Sequence, residues 1–333
     1  MQDTHASKLA VSGAAEPDLA PVGIEATAYH VPEPALTVED WCRRYGHPPE
    51  KAASIRKHGG AMVHIADEPL EQLVYRAVER LSDAGYLKPT EIGLVLYAHT
   101  TQISVPKPPR NMSGLVMRRF GLNRAFGCSI SEQNCVSVYM AIRIGRAMLL
   151  RRPELGSALI VAGDVIPNEN YRESDGVGLN SDGASALILR PYPSRNRILD
   201  MATHTECAFA DRIFSDDDAQ RKLKGTQALY LSAERMIQDL LAAHELTLDE
   251  IPVILPHNLN LSMWRSLIRF LRGKTEQLYT ANFDSKGHAL CNDLIINLTD
   301  IDADPSVRLA PNDPVLCFTR GYGWTYGTML LRR

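Results

Sequence analysis

The sequence predicts an α/β protein made of two similar halves, each a set of buried strands covered by helices. Three observations carry this. Short continuous apolar runs, such as Ile92 to Ala98 and Ser157 to Gly163, suit strands covered on both faces, as in parallel sheets. Amphipathic stretches with apolar residues three and four apart alternate with those runs. After Pro191 and Pro193 the alternation begins again. The boundary falls near residue 195, giving one half over 21–195 and another over 196–333. Residues 1–20, rich in Ala, Ser, Asp and Pro, read as a mobile tail.

The elements follow in order. Val22 to Ala28 is a first strand, and Leu70 to Ala84 a helix stopped by Gly85. Ile92 to Ala98 is a strand, and Met112 to Phe120 a helix ended by Gly121. Ala125 to Ile130 is a weak strand ahead of Cys135, and Val138 to Leu150 a long apolar helix. Ser157 to Gly163 is a strand, and Ser181-Asp182-Gly183-Ala184 turns into another at Ala186 to Leu189. In the second half, strands are read at Arg197 to Thr203, Ile251 to Leu255, Val315 to Thr319 and Thr328 to Leu331. Helices are read at Thr226 to His244, Leu261 to Arg272 and Asp293 to Leu298. The loops Gln102 to Asn111 and Ala208 to Lys224 are expected to shape a pocket.

A net charge of −3 gives no reason to expect nucleic acid or an anionic membrane as partner. No apolar stretch is long enough to span a bilayer, and no secretory leader pattern is present. The six cysteines form no CxxC pair and match no zinc signature, which points to reduced thiols in a cytoplasmic protein without a metal. Cys317, inside an apolar run, reads as an inert core residue.

Three distant segments carry candidate chemistry. Cys135 stands just ahead of a helix among Ser131, Gln133, Asn134 and Ser137. It is either a small core residue or a thiol whose anion the helix terminus favours. His257 follows a buried strand between Pro256 and Asn258 and is either a loop histidine or an acid/base group. His288 follows Gly287, with Asp293 five residues on to orient its imidazole or to cap a helix. The glycine-rich segment Gly321 to Gly327 is either a hairpin turn or a turn that brings backbone N–H groups to a ligand oxygen.

Taken in order, these pieces resemble the beta-ketoacyl carrier-protein synthase III family of the thiolase fold. The matching residues are Cys135, Asp182-Gly183-Ala184, Pro256-His257-Asn258-Leu259-Asn260, Gly287-His288 and Gly321 to Gly327. The resemblance spans about 21–333. It implies two halves in alternating αβαβα layers, a homodimer, and an acyl intermediate on Cys135 taken from an acyl thioester. Cys135, His257 and His288 would be catalytic, Asp293 and Asn260 supporting, and the N–H groups of Cys135 and Tyr322 the oxyanion hole. The thiolate would be supported by the helix terminus and by His257. No cofactor is implied beyond the thioester of carrier-protein phosphopantetheine or coenzyme A that serves as substrate.

Four departures shape the reading. His288 replaces the family's asparagine, and an imidazole can deprotonate a hydroxyl or amine. The tryptophan that stacks on coenzyme A has no match over Glu50 to His58, and Trp41 falls too early, which favours a carrier-protein donor. Ser262 replaces a basic residue, while Arg265, Arg269 and Arg272 are either a carrier-protein contact or a solvated face. Tyr322 replaces a glycine, altering the turn or narrowing the pocket. The expected function is acyl transfer from Cys135 to a small-molecule hydroxyl or amine in a natural-product pathway. The alternatives are decarboxylative condensation with a malonyl thioester, and a non-catalytic partner subunit of a heterodimeric synthase.

Overall fold

A computed structural model describes residues 20–174, 176–209 and 219–333. All but the last residue of the tail read over 1–20, and 210–218 of the second pocket loop, lie outside the described residues. The strands are β1 (Val22–His30), β2 (Leu36–Thr37), β3 (Met62–Val63), β4 (Ile92–Ala98), β5 (Phe126–Ile130), β6 (Ser157–Asp164), β7 (Glu173–Ser174), β8 (Gly178–Leu179), β9 (Gly183–Pro191), β10 (Arg197–Thr205), β11 (Val253–Pro256), β12 (Pro314–Gly321) and β13 (Thr325–Arg332). The helices are α1 (Val38–Tyr45), α2 (Pro49–Lys57), α3 (Leu70–Asp83), α4 (Met112–Phe120), α5 (Ser137–Arg151), α6 (Ala219–Ala242), α7 (Leu261–Phe270), α8 (Ala281–Ser285) and α9 (Asp293–Asp300).

Nine strands form one sheet in the order β11-β12-β13-β10-β1-β9-β6-β4-β5. It is mixed rather than parallel. β4 pairs parallel with β5 and β6, and β11 with β12, while β1, β9, β10 and β13 run antiparallel to their neighbours. An unbroken apolar run reports cover on both faces and says nothing of direction, so buried antiparallel strands carry the same pattern.

The halves repeat one topology. The strands β1, β4, β5, β6 and β9 lie side by side as β1-β9-β6-β4-β5. In the second half β10, β11, β12 and β13 lie as β10-β13-β12-β11. Leu278 adds a single parallel bridge to Ile254 where the counterpart of β5 belongs. The halves meet at Gly23, which pairs with Arg197.

Side-chain alternation along the strands divides the core into layers. From β4, Leu94, Leu96 and Ala98 join Ile142 of α5 and Leu294 and Ile295 of α9 in a central core. Val95 and Tyr97 face Leu73, Val74 and Val116 of α3 and α4. In the second half Val315, Cys317 and Met329 face the central core. Leu316, Phe318 and Leu330 face α6 and α7. The result is helix, sheet, helix, sheet, helix, with α5 and α9 in the middle.

Asp182, from the turn before β9, ties several loops to this scaffold. Its carboxylate accepts the N–H groups of Ala66 and Ile166, both at 2.8 Å. It also pairs with Arg172, whose side chain is 1% exposed, at 3.1 Å. Removing one partner of a buried pair leaves the other charge uncompensated. Asp182→Ala is therefore expected to lower unfolding stability by about 3–5 kcal/mol, read as a drop in the urea midpoint at unchanged slope.

Candidate active site

Cys135 lies in a 3-10 turn, Asn134–Val136, that leads from β5 into α5. Asn134 holds a left-handed φ of 51°, a conformation asparagine tolerates better than most residues. Its side-chain amide donates to the Tyr322 carbonyl at 2.9 Å. Cys135 is 3% exposed and packs with Ile166 and Leu290. The second half repeats the device, with a 3-10 turn Leu290–Asn292 leading into α9 and Leu290 at φ 59°. Cys291 occupies the position equivalent to Cys135.

The neighbours separate these two thiols. Cys291 donates to the buried Asp164 carboxylate at 3.1 Å. Burial and the Asp164 charge push its pKa well above the ordinary thiol value, so it stays protonated. Cys135 instead faces an imidazole, its sulfur 3.7 Å from His288 Nε2. His288 donates from Nδ1 to Asp293 Oδ2 at 2.6 Å, which fixes the ring. Burial acts to lower the His288 pKa; the charge and hydrogen bond of Asp293, helped by Cys135, overcome it and push the value up to about 10.

Asp293 does more than orient the ring. Its carboxylate also accepts the N–H groups of Asn258 and Ala289, both at 2.7 Å. It thus joins the loop after β11 to the loop before α9. Of the two sequence readings the structure shows the orienting one; Asn292 occupies the cap position, without a side-chain cap bond.

His257 sits at the end of β11, 3% exposed, its ring 5.2 Å from that of His288. The Arg320 N–H donates to its Nδ1 at 3.1 Å, which leaves the proton on Nε2. Burial first, then the His288 charge and Arg320, hold its pKa well below the usual histidine value. It is a neutral donor, not an imidazolium. The imidazole placed against the sulfur is His288, where the sequence reading gave thiolate support to His257.

The glycine-rich segment is the hairpin of its first reading. β12 and β13 form an antiparallel hairpin, and its tip, Tyr322–Trp324, meets the cysteine turn. A Cβ on Gly321 would lie 3.0 Å from the Gln133 carbonyl and 3.2 Å from the Cys135 nitrogen, so glycine permits the approach. Thr325 holds the contact by donating from Oγ1 to the Gln133 carbonyl at 3.0 Å. Gly287, at φ 65°, is required on the other side, where a Cβ would meet the Met62 carbonyl at 2.7 Å.

The remaining candidates are placed elsewhere. Asn260 caps α7, its Oδ1 accepting the Met263 N–H at 3.1 Å, and reaches the site only as part of the wall of a cavity of about 10 Å3 beside His288. That space holds about one water molecule. Trp41 is fully buried, stacked on His47 and donating to Glu169 at 2.9 Å. Arg265, Arg269 and Arg272 are exposed. Among the described residues no cluster of three or more His, Cys, Asp or Glu could hold a metal, and no helix is long and apolar enough to cross a membrane.

Sequence reasoning missed Asn258 as a site residue. Asn297 donates to its Oδ1 at 3.0 Å, while its Nδ2 is buried with no partner among the described residues. It also missed Ser174, whose oxygen lies 3.1 Å from the Tyr322 hydroxyl. The position of Asn258 beside His257 was a signal; nothing local marks Ser174.

Duplicated halves in αβαβα layers, with central helices starting at the site, define the thiolase fold. Residues 241–333 match the family model for the 3-oxoacyl-[acyl-carrier-protein] synthase III C terminal. Beta-ketoacyl-[acyl-carrier-protein] synthase III of Listeria welshimeri is 20% identical over 270 residues, covering 80% of this chain and 84% of that protein. The same enzyme of Granulibacter bethesdensis is 26% identical over 286 residues, covering 80% and 85%. Among solved structures, the acyltransferase ChlB3 superposes with a TM-score of 0.80 at 20% identity, over 94% of this chain and 97% of that one. The synthase III of Aquifex aeolicus gives 0.77 at 19%, over 94% and 100%. OleA of Xanthomonas campestris bound with cerulenin gives 0.77 at 15%, over 95% and 97%. The chain has the thiolase fold, and its residues 241–333 match the synthase III C-terminal family model.

The two histidines give opposite pH signatures. An unfolded histidine titrates near about 6.5. His288, raised, adds stability that is complete below that value and is lost as pH rises through about 10. His257, lowered, remains neutral in the fold and costs stability once pH falls below the unfolded value. In histidine-labelled protein at pH 7.5, the His288 signals, assigned by loss in His288→Ala, should be those of an imidazolium, and the His257 signals, assigned likewise, those of an Nε2–H imidazole in long-range proton–nitrogen spectra. Asp293→Asn should convert the imidazolium signal to neutral and slow Cys135 alkylation roughly tenfold or more.

Proposed function

We propose that the chain is an acyltransferase that loads Cys135 from an acyl thioester and passes the acyl group to a hydroxyl or amine of a small molecule in a natural-product pathway. The observation that carries the reading is the Asp293–His288–Cys135 line, 2.6 Å at one end and 3.7 Å at the other. Asparagine at 288 could polarise but could not accept a proton. An imidazole held by a carboxylate can.

The steps close in charge and protons. The Cys135 thiolate attacks the thioester carbonyl, and the carbonyl oxygen takes the negative charge. The N–H groups of Cys135 and Tyr322 and the Nε2–H of His257 are donors for that oxygen. Collapse breaks the donor carbon–sulfur bond, and the leaving thiolate takes the Nε2 proton of His288. Neutral His288 then accepts a proton from the acceptor O–H or N–H as that atom attacks the acyl-cysteine. Expulsion of the Cys135 thiolate beside the new imidazolium restores the starting state. His257, with its lowered pKa, serves as hydrogen-bond donor, and His288 supplies the mobile proton. Asn258 Nδ2, buried with no partner among the described residues, is a donor available to a substrate oxygen.

The donor fits a carrier-protein arm, because the buried Trp41 offers no surface to a nucleotide. The exposed Arg265, Arg269 and Arg272 along and just beyond α7 offer cations to an acidic partner. A homodimer would pair β5, the strand at one end of the sheet, with its copy; Phe126 there is 43% exposed. The pair of imidazole rings 5.2 Å apart also favours a second reading, condensation with a malonyl thioester, in which both stabilise the enolate formed by decarboxylation.

Incubation with a panel of acyl thioesters should add one acyl mass, mapped to Cys135, and Cys135→Ala should abolish it. His288→Ala should slow transfer to the acceptor by about 10²–10⁴. An ester or amide product without carbon dioxide supports transfer; carbon dioxide released from a malonyl donor supports condensation. A Cys135 that takes no acyl group from any thioester would end both readings.

A further inference from the structure

Tyr322 stands between the two sides of the site. On the cysteine side its carbonyl accepts from Asn134 at 2.9 Å, and Gly321 before it lies against the Cys135 nitrogen. Its side chain runs to the other side, where its hydroxyl meets Ser174 Oγ at 3.1 Å. The direction of that bond is fixed. Asn180 donates from Nδ2 to the Tyr171 carbonyl at 3.0 Å, so its Oδ1 is the acceptor facing Ser174. Ser174 donates to that oxygen at 3.1 Å, which uses its only proton. Tyr322 therefore donates to Ser174. Asn180 in turn bridges the backbone of His288, and the Ser181 N–H donates to the His288 carbonyl at 2.7 Å.

The phenol thus spans from the turn that carries the nucleophile to the strand-end segment that anchors the base. A rigid ring tethered at both ends is a fixed obstacle, unlike a long aliphatic chain that can swing aside. We propose that Tyr322 is a specificity-determining crossbar that limits approach to Cys135 to narrow, unbranched thioester arms and turns away branched or aromatic ones. The words "thioester arm" rest on the acyl-transfer reading; the restriction on width rests on the geometry alone.

The test uses the full chain and two thiol reagents, iodoacetamide as the narrow one and N-phenylmaleimide as the wide one, with Cys135 followed by peptide mapping. Tyr322→Ala should raise the wide-to-narrow rate ratio at Cys135 by about tenfold or more. Tyr322→Phe and Ser174→Ala, which free the ring without removing it, should raise the ratio by a smaller factor. An unchanged ratio in Tyr322→Ala with a wild-type melting temperature would overturn the crossbar. Should that variant fail to fold, an unchanged ratio in both tether variants would overturn it equally. A shifted ratio in a protein that no thioester acylates would leave the crossbar standing and sink the transfer reading instead.

Discussion

Three donors converge on the Asp293 carboxylate: the His288 ring, the Ala289 amide and the Asn258 amide. Everything reactive in the site depends on this convergence. The carboxylate holds the His288 ring in one orientation and in the charged form, and it joins the loop after β11 to the loop before α9. Asp293 can do so because it begins α9, whose next residues, Leu294 and Ile295, are locked into the central core. A charge placed on a loose loop would have to order itself against its own entropy. Here the core has already positioned it.

The same logic explains the opposite states of the two imidazoles. Their rings are neighbours, both almost fully buried, and both would be neutral if burial alone decided. His288 has a carboxylate on one nitrogen and a thiol on the other. His257 has a backbone N–H pointing at its Nδ1, which disfavours a second proton. A charged first ring then makes a charged second ring still less favourable. One carboxylate beside these two rings therefore sets two protonation states.

Much of this was legible in the residues. The run IGLVLYA is a strand from Ile92 to Ala98 as read, and Met112–Phe120 is a helix ended by Gly121 as read, with Asn111 as a cap that the reading did not name. The ordered motifs pointed to the fold, and the cysteine and both histidines do lie side by side. What was hidden has physical reasons. α2 buries only Ala52 and Ile55, too few to make a periodic signal. Strand direction depends on distant connections, so the mixed sheet looked parallel. Which histidine meets the sulfur is a matter of a few ångströms in space, and sequence order carries no such ruler. The choice for Asp293 between capping and orienting turned on where the His288 ring points.

The repeated turn ahead of the two central helices has a wider meaning. Backbone shape, helix polarity and depth are nearly matched at Cys135 and Cys291, yet one sulfur looks at a cation and the other at an anion. Had the two halves begun as identical copies, each would have owned the same latent nucleophile. Silencing one needed no change of architecture, only a carboxylate at Asp164 to keep the proton on the second sulfur. The molecule carries beside Cys135 a structural twin locked in its protonated form, and the difference between them is a measure of what a single neighbouring charge is able to decide.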